Sequence, residues 1–542
     1  MKLAHLKIVR VVVSLVFFLL TGLLFLGISD LSQRFADLIL ILQFIPSFLH
    51  FLIKPFHVAG GFILIIILTV LFGRVYCSTI CPLGTFLDII IFIKSKIFKK
   101  KKFKFKKSHN ILRYSILAIT GISLIFGTVL IVNLFDPYSN FGRIFSNFVR
   151  PLYITINNVF ASVLEDSDFA LKPLFFKGWK AEILLYPIIF IIVVTWLSVK
   201  HGRLYCNTIC PVGSLLGLFS KLSLFKIVIN TSSCKQCGLC EKACKAECIC
   251  NDTMEVDFSR CVSCFNCFRA CNLNGFKYKF SYSPKNVILP TETDISKRNF
   301  IFTTSAFVFG LFSGLLAQTK TIIVTKASTI RENKKNEVLP PGAKSFEHFT
   351  SKCTACHLCV SICCNQVLQP SFFELGAASI MQPRMDYHIG FCNYECNDCS
   401  KVCPTGAILP VDLSYKKRIQ LGKSKFIKDN CIVITEKTEC GACSEHCPTK
   451  AVKMVPYKGL FLPEVKEKIC IGCGACEFAC PTMPYKAIYV EGNPVHVTAD
   501  KPEEKQYILN VTGKQLQQNA LKNKMEKIKQ EQDTKQKDDF PF

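Results

Sequence analysis

The cysteines of this chain are the residues most plainly set out for chemistry. Of 31 cysteines in 542 residues, 24 fall into six groups of four. Cys234, Cys237, Cys240 and Cys244 read C-x2-C-x2-C-x3-C, and so do Cys261, Cys264, Cys267 and Cys271. The same spacing returns at Cys353, Cys356, Cys359 and Cys363, and at Cys470, Cys473, Cys476 and Cys480. Cys392, Cys396, Cys399 and Cys403 open with a longer gap, and Cys431, Cys440, Cys443 and Cys447 with a longer one still. Four thiolates hold one [4Fe–4S] cube, and in two-cluster ferredoxins the fourth cysteine of each run serves the other cube. Six groups therefore imply six cubes, and a chain of cubes is a conduit for single electrons.

Rival chemistries fit less well. Disulfide frameworks belong to short secreted chains. Zinc is satisfied by two CxxC pairs and does not need a third cysteine at the same spacing. The run CTACH, Cys353 to His357, matches the c-type haem attachment pattern. Cys359 and Cys363 carry the ferredoxin register through it, so no haem is expected. Pro404, Pro448 and Pro481 follow fourth cysteines, as in bacterial ferredoxins, whereas Lys245 and Asn272 stand there in the first two groups. Small residues such as Gly441, Ala442, Gly472, Gly474 and Ala475 let backbone N–H groups approach cluster sulfurs. Cys248, Cys250 and Cys364 lie outside the groups and read as bystander thiols or extra ligands.

The last four cysteines belong to a repeat. GRVYCSTICPLG, Gly73 to Gly84, returns as GRLYCNTICPVG, Gly202 to Gly213. Each copy holds C-x3-C-P, with Cys77 and Cys81 in one and Cys206 and Cys210 in the other. The half of the chain that carries them is a duplicated helix pair. Four such thiols could ligate a metal, work as redox thiols, or simply shape the turn.

Composition supplies the elements that must position these groups. Half the residues are hydrophobic, concentrated in the first 230, and the last 220 are mixed and polar. Four segments are long and apolar enough to span a membrane: about 11–29, 58–76, 111–134 and 181–199. A fifth lies at about 300–318, and residues 36–53 read as an interfacial or re-entrant piece. Residues 94–107 contain nine lysines and no acidic residue, which places that loop on the cytoplasmic side. Its setting between spans points to topology and anionic lipid, and the net charge of +27 gives no reason to expect a nucleic-acid partner. With the N-terminus inside, the first two cysteine groups face the cytoplasm and the last four the periplasm.

The expected fold is an α-helical membrane domain of four spans plus a fifth anchor helix, joined to α+β bacterial ferredoxin-like domains. The expected units are a membrane domain at 1–230, a two-cluster domain at 231–280 and an anchor at 297–320. A four-cluster domain follows at 340–500, and a polar tail, solvated helix or disordered, at 512–542.

Paired CxxxCP motifs followed by two ferredoxin groups resemble the NapH/NosR-type membrane ferredoxins over residues 1–280. Residues 297–490 resemble NapG, the four-cluster partner of NapH. Lys297, Arg298, Asn299 and Phe300 stand where that family carries a twin-arginine export signal. The Lys for Arg departure, and the lack of a small-residue cleavage site, favour a retained anchor. The resemblance implies a natural fusion acting as a quinol dehydrogenase, passing electrons from menaquinol or ubiquinol to a periplasmic reductase or cytochrome. It also implies nested cubes, the first motif of the four-cluster domain sharing ligands with the last and the second with the third.

Quinol oxidation needs a proton acceptor, and His57, Asp88 and Asp136 are the candidates, each weighed against a place in a solvated loop or interface. His57 and His201 fall at opposite faces, so no histidine pair is set for a membrane haem. Two other functions fit the same residues. One is an accessory factor that reduces copper or thiols for a respiratory enzyme through Cys77, Cys81, Cys206 and Cys210. The other is a passive membrane-anchored electron-transfer module. No feature of the sequence joins the inner cubes to the outer ones.

Overall fold

The computed structural model of the protein describes residues 5–27, 36–52, 60–97, 103–163, 173–174, 181–231, 233–271, 275–280, 330–332 and 334–501. His57, the fifth apolar segment with Lys297 to Phe300, and the polar tail lie outside them.

The first part is helical. In chain order it runs α1 (His5–Leu26), α2 (Phe44–Phe51), α3 (Gly60–Phe72), α4 (Pro82–Ile97) and α5 (Asn110–Ile125). Then come α6 (Pro137–Ile144), α7 (Arg150–Val163), α8 (Ala181–His201) and α9 (Pro211–Lys221). Two of these helices, α1 and α8, are long and apolar enough to cross a bilayer. At 1.5 Å per residue α1 is ~33 Å long, a match for a hydrocarbon core of ~30 Å. It is built inside out. Its buried stripe holds Arg10, Ser14, Thr21, Gly22, Leu24 and Phe25, while Ile8, Val9, Val12, Leu15, Val16 and Leu19 face outward. Apolar side chains on the outside and small or polar ones between helices are what a lipid solvent selects.

The other two expected spans are shorter than the hydropathy suggests. α3 has 13 residues and α5 has 16, ~20 and ~24 Å in length. Gly73, at φ +80°, turns the chain after α3 so that Arg74 points into the protein. Gly127, at φ +72°, ends α5, and a separate short helix covers Leu130–Phe135.

The ferredoxin parts are small sheets laid over cysteine loops. β1 (Phe225–Ile229) pairs antiparallel with β2 (Phe276–Phe280), Ile227 opposite Tyr278, and the first two cysteine groups lie between them in sequence. The two-cluster unit thus begins at Phe225, inside what hydropathy assigns to the membrane half. In the four-cluster unit β3 (Ile419–Phe426) pairs with β6 (Ile488–Thr498). β4 (Val452–Tyr457) and β5 (Leu460–Val465) form a hairpin closed by Lys458 and Gly459, both at positive φ as a primed two-residue turn requires.

The two ferredoxin units sit at opposite ends of the helical part. The two-cluster unit packs at the Arg10 end, where Arg113 donates to the Ser259 carbonyl (2.9 Å) and Asn207 to the Ala246 carbonyl (3.2 Å). The lysine-rich loop lies at this same end, with the Phe105 N–H donating to Glu241 (2.8 Å) and Arg260 donating to the Lys106 carbonyl (2.7 Å). The four-cluster unit packs at the Phe25 end. There Arg143 donates to the carbonyls of Ala355 (2.9 Å) and Thr354 (3.2 Å). One continuous core holds Cys77, Cys81, Cys206 and Cys210, with Val262 from one unit and Cys356, Leu358, Ile362 and Val402 from the other.

Candidate iron–sulfur centres and the cysteine turns between them

Each regular ferredoxin loop is wound the same way. The residue before the second cysteine and the residue after it both have positive φ: Gln236 and Gly238, Ser263 and Phe265, Ala355 and His357, Gly472 and Gly474. That pair of left-handed residues wraps the loop so that its N–H groups face inward, as a nest for an anion. A short helix then starts and carries the third cysteine. His357 is held by this geometry: its imidazole is buried and Nε2 lies 2.9 Å from the Met381 carbonyl, to which it donates. Burial and the nearby Arg143 push its pKa down to about 3, so the ring is neutral.

The 24 thiols gather into six quartets. Cys234, Cys237 and Cys240 line a hollow with Cys271, and Cys261, Cys264 and Cys267 have Cys244 beside them. This is the two-cluster exchange of fourth ligands. In the four-cluster unit Cys353, Cys356 and Cys359 line a hollow with Cys403, and Cys392, Cys396 and Cys399 line one with Cys363. Cys431, Cys440 and Cys443 share theirs with Cys480, and Cys473 and Cys476 are neighbours of Cys470 and Cys447. The nested pairing implied by family resemblance is therefore replaced by pairing of adjacent motifs, first with second and third with fourth. Adjacent pairing closes shorter loops, which costs less chain entropy.

Backbone and hydroxyl donors reach the fourth cysteines. N–H groups of Gly275, Ile408 and Ala451 point at the sulfurs of Cys271, Cys403 and Cys447 at 3.3, 3.3 and 3.2 Å. Thr405, Thr449 and Thr482 place hydroxyls 3.8, 3.7 and 3.1 Å from Cys403, Cys447 and Cys480. A thrice-repeated Cys-Pro-Thr in the sequence signalled these threonines, although only the prolines draw notice there. Such hydrogen bonds tune cluster potential. Of the leftover thiols, Cys248 lies 3.6 Å from Cys244, Cys364 is exposed next to the Cys396 quartet, and Cys250 is near Thr253.

The CxxxCP turns face each other across the repeat axis. Arg74, from the first copy, donates to the carbonyls of Gly213 (2.9 Å) and Cys206 (3.5 Å) in the second. Arg203, from the second, donates to the Cys77 carbonyl (2.5 Å) in the first. The glycine after each CP lets its own turn close tightly. A Cβ on Gly84 would lie 2.3 Å from the Cys77 carbonyl oxygen, and one on Gly213 would lie 2.1 Å from that of Cys206. Each turn is also tied to the two-cluster unit, by Arg74 to the Cys261 carbonyl (3.3 Å) and by the Arg203 N–H to the Lys245 carbonyl (2.8 Å). Both arginines stand inside the repeated motif in plain view, yet only its cysteines look chemical in the sequence.

The acidic candidates are engaged. Asp88 sits in a buried ion cluster with Arg10, Arg203 (2.8 Å) and Lys245 (3.3 Å), which ties α1, the second cysteine turn and the two-cluster unit together. Asp136 caps α6, accepting from the Ser139 N–H (2.8 Å) and hydroxyl (2.6 Å). It is buried, and Tyr76, Tyr205, Tyr138 and Cys356 are all close enough to feel its charge.

Residues 55–102 and again 183–230 match a family described as "4Fe-4S binding domain", and residues 437–483 match one described as "4Fe-4S dicluster domain". The two copies of the first match frame the two CxxxCP turns. Similar proteins include the ferredoxin-type protein NapH of Haemophilus influenzae, 23% identical over 235 residues, 41% of this chain and 69% of that protein. The chain carries a NapH-type 4Fe–4S ferredoxin unit. An uncharacterised protein of Methanocaldococcus jannaschii is 25% identical over 228 residues, 41% of this chain and 79% of the relative. The methylamine utilization ferredoxin-type protein MauN of Paracoccus denitrificans is 24% identical over 174 residues, 32% of this chain and 48% of MauN. No solved structure matches. The protein is an iron–sulfur electron-transfer protein, with this NapH-type unit as its most recognisable part.

Proposed function

We propose that the protein is a single-electron conduit between the membrane quinol pool and a redox partner protein, with one [4Fe–4S] cube in each of the six quartets. The observation that carries this reading is the order of the quartets in space. The Cys234 quartet exchanges its fourth ligand with the Cys261 quartet, which abuts the helical part. At the opposite end the Cys353 quartet abuts the helical part and exchanges fourth ligands with the Cys392 quartet, and the Cys392 N–H donates to the carbonyl of Cys473 in the next quartet (2.9 Å). The Cys431 quartet ends the file. Quartets in single file suit stepwise electron hopping, and the ends of the file are where partners would exchange electrons.

On this reading the lysine-rich loop and the two-cluster unit are cytoplasmic. The four-cluster unit is periplasmic, a NapG-like partner fused to the NapH-type unit, and delivers electrons to a reductase or cytochrome beside the Cys431 cube. Protein in detergent, given a menaquinol analogue, is expected to show reduction of all six cubes by electron paramagnetic resonance. Absence of any reduction would sink the quinol reading. The engaged state of Asp88 and Asp136 favours a second reading, a passive module whose electrons enter from a separate dehydrogenase at the Cys234 cube, where Cys237 is exposed. In that case a low-potential protein donor, and not quinol, reduces the file.

A further inference from the structure

We propose that Cys248 is a second, interchangeable fourth ligand of the cube held by Cys261, Cys264, Cys267 and Cys244. This rests on the reading that the quartet holds a cube, and it gives a role to a thiol that the six quartets leave over. Five cysteines, not four, converge at this place. Cys248 is buried, and its sulfur lies 3.6 Å from that of Cys244. It is also within hydrogen-bond reach of Cys261, a second ligand of the same quartet. With the ~2.3 Å of a zinc–thiolate bond as a guide, two sulfurs 3.6 Å apart are both within reach of one metal atom.

The chain sets this thiol in place with a turn repeated four times among the described residues. The third residue after the fourth cysteine has positive φ: Glu247 (+51°), Gln366 (+52°), Gly406 (+69°) and Lys450 (+54°). In three of these turns its N–H donates back to the cysteine carbonyl, from Glu247 to Cys244 (3.2 Å), Gln366 to Cys363 (3.1 Å) and Lys450 to Cys447 (3.2 Å). The next residue is thereby folded back toward the cysteine and buried. It is Val367, Ala407 or Ala451 in the four-cluster unit, and Cys248 in the two-cluster unit. Packing at this position thus asks only for a small apolar side chain, and a buried cysteine can serve as one. What sets Cys248 apart is its contact with a ligand sulfur, which alanine and valine have no atom to make.

Cys244 differs from other fourth cysteines in a second way. Cys403, Cys447 and Cys480 each meet the hydroxyl of the threonine two residues on, whereas Ala246 stands in that place after Cys244. A ligating Cys244 is a thiolate and carries no proton, so the S–H of Cys248 is the donor in their contact. The same proton balances the exchange. The bond from iron to the Cys244 sulfur breaks, the bond from iron to the Cys248 sulfur forms, and the proton of Cys248 passes to Cys244. No electron is gained or lost, and no further reactant enters. The cube has four thiolate ligands in either state.

The test uses the full chain, purified anaerobically in detergent, with iron and acid-labile sulfide counted per chain and the cubes read by electron paramagnetic resonance. Cys267→Ala removes another ligand of the same quartet. It is expected to lose about one to four irons, the cube's own complement at most, or to fail to fold. Undiminished iron in that variant would overturn the cube reading and this inference together. Cys244→Ala is expected to keep wild-type iron and sulfide, with a shifted resonance as Cys248 takes the iron. Cys244→Ala/Cys248→Ala is expected to behave as Cys267→Ala does. A Cys244→Ala chain that loses as much iron as the double variant overturns the inference and leaves the cube reading intact. So does one that no longer folds, because Cys248 would have held the site together. A double variant that keeps the cube overturns it as well, since another group then supplies the fourth bond.

Discussion

Cys403 belongs by sequence to the second motif of the four-cluster unit, yet its sulfur faces Cys353, Cys356 and Cys359. Cys403→Ser is therefore expected to perturb the resonance of the cube nearest the helical part and to spare that of the Cys392 group; the nested arrangement would put the damage on the Cys431 group. A second prediction concerns a histidine remote from any thiol. Burial pushes the His496 pKa down to about 4 from its ordinary 6.5, and neither ring nitrogen has a hydrogen-bond partner among the described residues. Between those two values the unfolded chain holds more protons than the folded one. Stability is complete above pH 6.5 and falls as pH drops toward 4, by at most ~3 kcal/mol. Denaturant midpoints of wild type should decline across this window, and those of His496→Gln should decline less. The regular cysteine spacing announced the ligands by itself, because three thiols on one loop are a local matter. Which fourth cysteine completes each quartet is a question of tertiary packing, and family resemblance answered it wrongly.

At the scale of elements, α6 is the piece on which the four-cluster unit rests. A Cβ on Gly142 would lie 2.4 Å from the Cys356 carbonyl oxygen and 2.6 Å from the Phe25 ring. Gly142→Val should open this contact at a cost of about 1–3 kcal/mol, the usual range for overpacking. Flash reduction at the two-cluster end should then reach the Cys353 cube slowly, with all ferredoxin signals retained at equilibrium. An unchanged transfer rate would show that the contact is not on the path. Of the four expected spans, hydropathy found two, α1 and α8, that are long and apolar enough to cross a bilayer, and it overstated the lengths of α3 and α5, because it counts apolar residues and not the glycines that turn the chain. Gly73 and Gly127 cut those helices short, and the residues thereby released include Arg74, whose charge the turn carries inward.

The whole molecule has two ferredoxin units at opposite ends of one helical part. If that part lies across a membrane, residues 350–500 are expected to be cleaved by protease added to intact spheroplasts, while the Cys234 to Cys271 segment is protected until lysis. Protection of both would place the units on one side and end the transmembrane reading. By itself the sequence determined the chemistry: cysteine spacing, the duplicated CxxxCP turn and a segregated apolar half are local patterns, legible residue by residue. Only the tertiary structure decided the wiring. It exchanged fourth ligands between neighbouring motifs and crossed the arginines of the two repeats. It also gathered Cys77, Cys81, Cys206 and Cys210 into one buried core. Each of these joins residues far apart in the chain, and such contacts are chosen by packing and by the need to pair buried charge, which spacing along a sequence does not record.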